Sequence, residues 1–434
     1  MSNANAIAVE ELRVGMFVQL EGGWLAHPFP LSAFKLSTAE QIETLRRLGL
    51  REVRWIPEKS DLQPPTVGGS PRLQTTQGDG GVEPVQPETH GRGLAVETRV
   101  ALRARLLQLQ REAAQQCQRQ HDEVESALRQ LLGAAAAQPR EAGKAAAALA
   151  QSMLEKMLDE DEVGIRLVAS GTDREVSHAL NVSVISLLIG RRLGMLEADL
   201  LDLGVGALLH DCGKQEIALR YRQLADGQTA QEVQAYREHV SRGVRLGQLM
   251  ALTPGALAVV AQHHEQADGG GFPHRLAGEQ ISLAARVVSI VNRYDGLCNP
   301  RGGAPGLTPH EAVAMLFAQH RHRFDGTVLN AFIRMMGVYP AGSIVQLTDD
   351  RFALVVGANS SRPLKPRLLV YDPKVSPVNA LLLDLELERD LGIRRSLTAQ
   401  RLPADALHYL NPRPRVSYYF EPLRTEGRAA APGP

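Results

Sequence analysis

The chain has 434 residues, with 48 Lys+Arg against 48 Asp+Glu, 13 His, 3 Cys and 4% aromatics. At ~100–200 residues per domain, that length allows two to four domains with sizeable cores. A net charge of zero argues against a nucleic-acid polymer as partner, because that affinity comes from Lys and Arg neutralising phosphates. It gives no sign of attraction to anionic membranes either. The three cysteines, Cys117, Cys212 and Cys298, are far apart and odd in number, which fits a reducing compartment better than a disulfide framework. The start MSNANAIAVEELRVG has no basic and apolar signal-peptide regions, and apolar runs such as 182–189 stop short of the ~20 residues a membrane span needs. A soluble cytoplasmic protein without membrane insertion is expected.

Residues 7–61 read as a small α/β unit. Strand patterns cover 9–20 and 51–56, and helical spacing over 38–48 closes at Gly49. The unit holds both tryptophans, and Trp24, His27 and Phe29 read as a packing cluster. Residues 62–93, rich in Gly, Pro, Thr and Gln with no apolar period, read as a flexible linker.

Residues 94–160 read as a helical connector. With Val100, Leu107, Ala114, His121 and Leu128 at a, the d positions are Val96, Arg103, Gln110, Cys117, Val124 and Leu131. Eight of these eleven are apolar, a stripe that fits either a homodimer seam or a face packed on its own domain. A second helix is expected over 141–158.

From 160 to 337 the apolar clusters keep helical spacing throughout. After Pro340, SIVQL, RFALVVGA and PRLLVYD are short β-rich runs between turns. They predict a β-rich module over 340–422, followed by a disordered tail at 423–434. The fold class expected is mainly α, with a small α/β domain before the bundle and a small β-rich module after it.

The informative feature is a run of histidines in the helical region: His178, His210, His239, His263 and His264. His210-Asp211 closes the run LLDLGVGALL and precedes Cys212-Gly213-Lys214. There an imidazole and a carboxylate can turn into one site, and Lys214 can reach an anion. His263-His264-Glu265 leads into Asp268-Gly269-Gly270-Gly271-Phe272-Pro273, a loop whose backbone can approach a ligand closely. Taken singly, each His reads as structural. Five on helices with a carboxylate make a mixed N/O site that suits Fe, Mn, Zn or Ni better than Mg or Ca. Cys212 reads as a small buried filler or a redox-sensitive thiol, and His320 and His322, in HRHRFDG, as a solvated helix face.

HDCGK, His239 and HHEQADGGGFP together resemble the HD-GYP domain, whose second motif reads HHE…DGxGYP. Residues 7–61 resemble a small domain of unknown function that often precedes it. The resemblance implies an HD-superfamily helical bundle over 161–339 that hydrolyses cyclic di-GMP to pGpG or GMP in bacterial signalling. It also implies two divalent metal ions, iron or manganese. His178, His210, Asp211 and the residue at Asn292 would hold one; His239, His263 and His264 would hold the other, with Asp211 bridging. Lys214 would steady the scissile phosphate, while Asp268, Gly269, Gly271, Phe272 and Pro273 would face the substrate and Arg301 would contact it. A hydroxide shared by two cations is nucleophilic near neutral pH and would attack phosphorus in line, which makes Asp211 and Lys214 the catalytic pair.

The chain departs from the family pattern in three places. Phe272 replaces the tyrosine of GYP, Asn292 replaces a ligand Asp, and Arg174 stands where a third-metal Glu would be, so at most two metals are expected. Asp295, one turn beyond Asn292, could compensate as a ligand, although the family usually carries both acids. Asn292 keeps a second reading open: a degenerate HD-GYP that binds nucleotide or signalling proteins without turnover. A third, an HD phosphohydrolase for another phosphate ester, is disfavoured by the GGGFP loop.

Overall fold

The computed structural model describes residues 5–19, 33–36, 42–43, 45–46, 52–57, 60, 90–159, 162–169, 171–222, 228–300, 305–358, 364–388 and 390–422. The chain divides into two compact units, Met1–Leu109 and Gln110–Pro434. In the first, β1 (Asn5–Ala8), β2 (Phe17–Gln19), β3 (Ala33–Lys35) and β4 (Glu52–Trp55) form an antiparallel sheet in the order β1-β4-β2-β3. The strand expected over 9–20 is corrected to the short β2 at Phe17–Gln19, since β1 ends at Ala8 before it. A 3-10 turn at Val9–Glu11 and Gly15, with φ of +100°, reverse the chain there. Val9, Leu12, Met16, Val18, Leu36, Ile42, Leu45, Val53 and Trp55 form the unit's core. Trp24, His27 and Phe29 lie outside the described residues, as do 62–89 of the expected linker.

The helix α1 (His90–Ala134) begins inside the stretch read as linker. From Cys117 onward its a/d stripe is settled in favour of the packed face: Cys117, Val124, Leu128 and Leu131 join the second unit's core, and His121 is fully buried. Next comes α2 (Pro139–Leu158), then the strand β5 (Val163–Val168). This strand corrects the expectation of helix throughout 160–337. VGIRLV is too short to show a period, and its partners lie far along the chain.

The bundle follows: α3 (Arg174–Arg192), α4 (Glu197–Leu209), α5 (Ala230–Leu249), α6 (Pro254–Gln262), α7 (Leu283–Cys298), α8 (Pro309–Ala318) and α9 (Gly326–Met336). Capping side chains start many of them: Asp173, Thr229, Thr253, Ser282, Thr308 and Asp325 each accept a backbone N–H in the first turn. α3 packs on α4 and α7, and α4 on α6. Apolar side chains at helical spacing merge into one core that includes Leu180 and Leu187 of α3, Leu203 of α4, Val259 of α6 and Val288 of α7.

The expected β runs become β6 (Ile344–Leu347), β7 (Phe352–Ala358) and β8 (Arg367–Val370). They are joined by β9 (Leu383–Asp384), β10 (Ile393–Leu397), the helix α10 (Ala404–Leu410) and β11 (Ser417–Pro422). The sheet path is β10-β6-β7-β5-β11, with β8 paired to β7 and β9. β11 runs antiparallel to β5 from Ser417↔Val168 to Pro422↔Val163. The β-rich region therefore shares a sheet with residues that precede the bundle, and the boundary at 339/340 does not separate two bodies. No helix among the described residues is long and apolar enough to cross a membrane. Residues 423–434 lie outside the described residues.

Candidate metal centre

The HD motif sits at the end of α4. His210 caps that helix and Asp211 begins a 3-10 turn, Cys212–Glu216, that lies against α5. Gly213 permits this approach, because a Cβ there would collide with the His239 carbonyl oxygen and the Gly243 nitrogen. His239 is on α5, His263 caps α6, and His178 is in the second turn of α3. Four elements distant in sequence thus deliver five imidazoles to one carboxylate.

The ring orientations decide what this cluster can do. His210 Nδ1–H donates to Ala207 O at 2.7 Å, His239 Nδ1–H to Tyr236 O at 2.6 Å and His263 Nδ1–H to Val260 O at 2.9 Å. His178 Nδ1–H donates to Asp295 Oδ2 at 2.6 Å. Each bond fixes the proton on Nδ1 and leaves the Nε2 lone pair pointing inward. The inward nitrogens nearly touch: His239 and His263 Nε2 are 3.3 Å apart, and so are those of His178 and His210. All four face Asp211. Its Oδ2 is 3.7 Å from His178 and 3.6 Å from His210, and its Oδ1 is 3.6 Å from His239 and 3.7 Å from His263.

Burial pushes the pKa values of His210, His239 and His263 down to about 3, so these rings are neutral at pH 7. Neutral rings with their lone pairs turned together repel unless a cation lies between them. The donor set itself, imidazole nitrogens around a shared carboxylate, therefore fits divalent transition metals. Two overlapping groups have ligand atoms close enough: Asp211 with His239, His263 and His264, and Asp211 with His178 and His210. In His264, Nε2 lies 3.2 Å from the Tyr236 hydroxyl, and burial lowers its pKa well below the usual value.

A cavity of about 420 Å³ opens over the cluster. His178, His263, His264, Lys214, Tyr236, Phe272 and Asn292 line it. Lys214 Nζ donates to Asp211 Oδ2 at 2.5 Å. Of the loop residues singled out in the sequence, Phe272 reaches the cavity and stacks on His264 with centroids 4.5 Å apart. Asp268, Gly269, Gly271 and Pro273 do not line it. Asp268 Oδ1 accepts from Gly270 N at 2.8 Å, and Gly269 takes φ of +75°. Gly271 packs so tightly on Glu265 and Gln266 that a Cβ has no room. They shape the loop that presents Phe272. Arg301 lies outside the described residues. Cys212 is buried, with its thiol pushed up to about 12, and is thus a protonated filler. His320, expected on a solvated face, lines the cavity with Arg323, while His322 is exposed.

Sequence reasoning missed the roles of several supporting residues. Asp295 is buried; besides holding His178, its Oδ1 accepts from Asn181 and Asn299 Nδ2, each at 2.8 Å. Both amides also donate to Val416 O at 3.0 Å, and Asn181 Oδ1 accepts from Tyr418 N at 3.0 Å. The start of β11 thereby braces the acid that orients His178. Glu265, the third letter of HHE, is buried and accepts from His274 N at 2.7 Å and Leu276 N at 3.0 Å, anchoring the Gly-rich loop. Buried Asn and Glu beside a motif were the available signals.

Comparisons with known proteins agree. Residues 5–146 match a family described as a domain of unknown function (DUF3391), and residues 162–328 match one described as HD domain. The first match runs beyond residue 61, through the expected linker and into the helices. The chain is 30% identical over 376 residues to a cyclic di-GMP phosphodiesterase of Pseudomonas aeruginosa, covering 84% of each. It is 31% identical over 156 residues to a cyclic di-GMP phosphodiesterase response regulator of Xanthomonas campestris, covering 35% of this chain and 41% of that protein. Among solved structures, an HDG"Y"P protein of Bdellovibrio bacteriovorus matches 76% of this chain and 98% of its own, at 15% identity and a TM-score of 0.40. The chain belongs to the HD-GYP family of HD-domain metal-dependent phosphohydrolases.

Proposed function

We propose that this protein is a metal-dependent phosphodiesterase that hydrolyses cyclic di-GMP to pGpG or GMP in bacterial signalling. The observation that carries this reading is the cage of inward Nε2 lone pairs around Asp211, under a cavity open to a ligand. The relative from Pseudomonas aeruginosa, matched over 84% of both chains, supplies the substrate class.

In this reading two divalent ions, iron or manganese, occupy the centre. His178, His210, Asp211 and Asn292 would hold one. His239, His263 and His264 would hold the other, with Asp211 shared. When bound, such ions activate water and neutralise phosphate oxygens. The chain's own part is positional. The Nδ1 hydrogen bonds of His210, His239 and His263 keep their inward nitrogens unprotonated, and Asp211 joins the two groups. Lys214, held beside Asp211, directs its ammonium at a non-bridging phosphate oxygen and offsets charge as the phosphorus is attacked. Phe272 and Tyr236 give the cavity aromatic walls against which a guanine can lie. The three free cysteines, all buried, fit a cytoplasmic location.

A second reading, a nucleotide-binding signalling module without turnover, rests on Asn292. It lines the cavity where the family has a charged ligand. Protein loaded anaerobically with Fe(II) or Mn(II) separates the two. Consumption of cyclic di-GMP with at least one ion per chain is expected; no consumption with less than one ion per chain overturns the enzyme reading.

A further inference from the structure

The cavity wall away from the histidines carries guanidinium groups with no counter-charge. Arg293 follows Asn292 on α7, and Arg323 ends the short 3-10 helix Arg321–Arg323 before α9. Both line the cavity, as does His320. Among the described residues neither Arg293 nor Arg323 makes an ion pair or a side-chain hydrogen bond, and the buried His320 Nδ1 has no partner. Of the other cations on the wall, Lys214 is engaged with Asp211, Arg222 with Glu175 at 3.4 Å and Arg174 with Pro300 O at 3.3 Å, while Arg415 adds a further buried Nη1 without a partner.

The nearby acids are also committed. Asp325 pairs with Arg286 at 2.8 Å, Asp268 lies 3.7 Å from His322, and Asp295 is bound to His178, Asn181 and Asn299. Burial and the Arg323 charge lower the Arg293 pKa, and burial with both arginines lowers that of His320. Arg293 is exposed at the cavity rim and Arg323 is half-buried, and two guanidiniums facing one hole repel each other unless an anion lies between them. In a chain of zero net charge, this is a local concentration of positive charge facing one hole.

A cyclic dinucleotide has two phosphodiesters on opposite sides of its ring. The metal centre can take only the one to be cleaved, and the other must leave water beside it. We propose that Arg293 and Arg323, with His320, form the subsite that binds the second, non-scissile phosphodiester. Guanidinium forks suit phosphate oxygens in two-point contact, and neutral His320 adds a further hydrogen bond. The subsite makes the cavity selective for substrates bearing two phosphodiesters over those bearing one. It rests on the phosphodiesterase reading for its substrate.

The test compares cyclic di-GMP with bis(p-nitrophenyl) phosphate, which has a single phosphodiester, on full-length protein loaded with Mn(II). Arg293→Ala and Arg323→Ala are each expected to lower the ratio of kcat/KM for cyclic di-GMP to that for the small ester by about tenfold or more, the size of one charge-assisted contact. Arg323→Lys restores part of the ratio. An unchanged ratio in both alanine variants overturns the subsite while leaving the phosphodiesterase reading intact. If the wild type cleaves the small ester but not cyclic di-GMP, the phosphodiesterase reading fails, and the subsite is then read by calorimetric titration with cyclic di-GMP. Binding weakened about tenfold by either alanine supports it, and equal affinity overturns it.

Discussion

His210, His239 and His263 each take their orientation from a carbonyl three residues back on their own helix, whereas His178 takes its orientation from Asp295, 117 residues away. Asp295 in turn depends on Asn181, Asn299 and the backbone of Val416 and Tyr418. Three of the imidazoles are set by local helix geometry, which forms with the helix and costs no loop closure. The His178 end is set by tertiary structure. The same metal centre thus has a robust end and a dependent end, joined at Asp211.

Variants that break this asymmetry follow in order of size. Asp211→Ala removes the group shared by both ends. Turnover of cyclic di-GMP is expected to fall about a thousandfold or more, the several kcal/mol a metal centre supplies, with circular dichroism unchanged. Full activity would refute the shared-carboxylate arrangement. Asp295→Asn should lower metal affinity or turnover by about 10- to 100-fold. Elemental analysis is expected to show that loss at one ion per chain, the other being retained. Loss of both ions would show that the ends are not independent.

Asn181→Ala leaves Asp295 with one amide partner and strands Tyr418 N. A cost of about 1–3 kcal/mol in unfolding free energy is expected, with a several-fold drop in turnover. Thermal melts and rates measure it; a drop in stability with unchanged turnover would confine Asn181 to the fold.

Acid sharpens the comparison from the robust end. In metal-free protein, His210, His239 and His263 titrate at about 3 when folded and near 6.5 when unfolded. The unfolded chain binds more protons between those values, so their contribution is intact above pH 6.5 and is lost as pH falls through that window. Unfolding free energies from urea titrations should decline with acid more steeply than the one-proton slope of about 1.4 kcal/mol per pH unit. A flat profile would mean that the rings are not neutral. Asn292→Asp, the smallest effect, should raise occupancy at the His178 end a few-fold; unchanged stoichiometry and rate would exclude position 292 as a ligand.

The same division governs what could be read from the sequence. HDCGK and HHE are contiguous, and their helical setting follows from local spacing, so the robust end was legible. The bundle was also legible, because its apolar runs repeat at helical period. The role of Asp295 was visible only as a nearby acid, and that of Asn181 not at all. Both act through contacts 114 to 237 residues apart, which no local pattern encodes. β5 was missed for the same reason, since Val163 pairs with Pro422. The a/d stripe on α1 was ambiguous because a packed face and a dimer seam have one spacing.

The brace at Val416 also sets an order of events in biosynthesis. Asn181 and the carbonyl it holds are 235 residues apart, so the ribosome has already released the whole histidine cluster when Val416 is made. A nascent chain can gather His210, His239 and His263 around Asp211 while His178 still lacks its network. The His178 network is therefore completed only when β11 is made, and a chain cut short before residue 416 keeps its motifs but not the posture of His178.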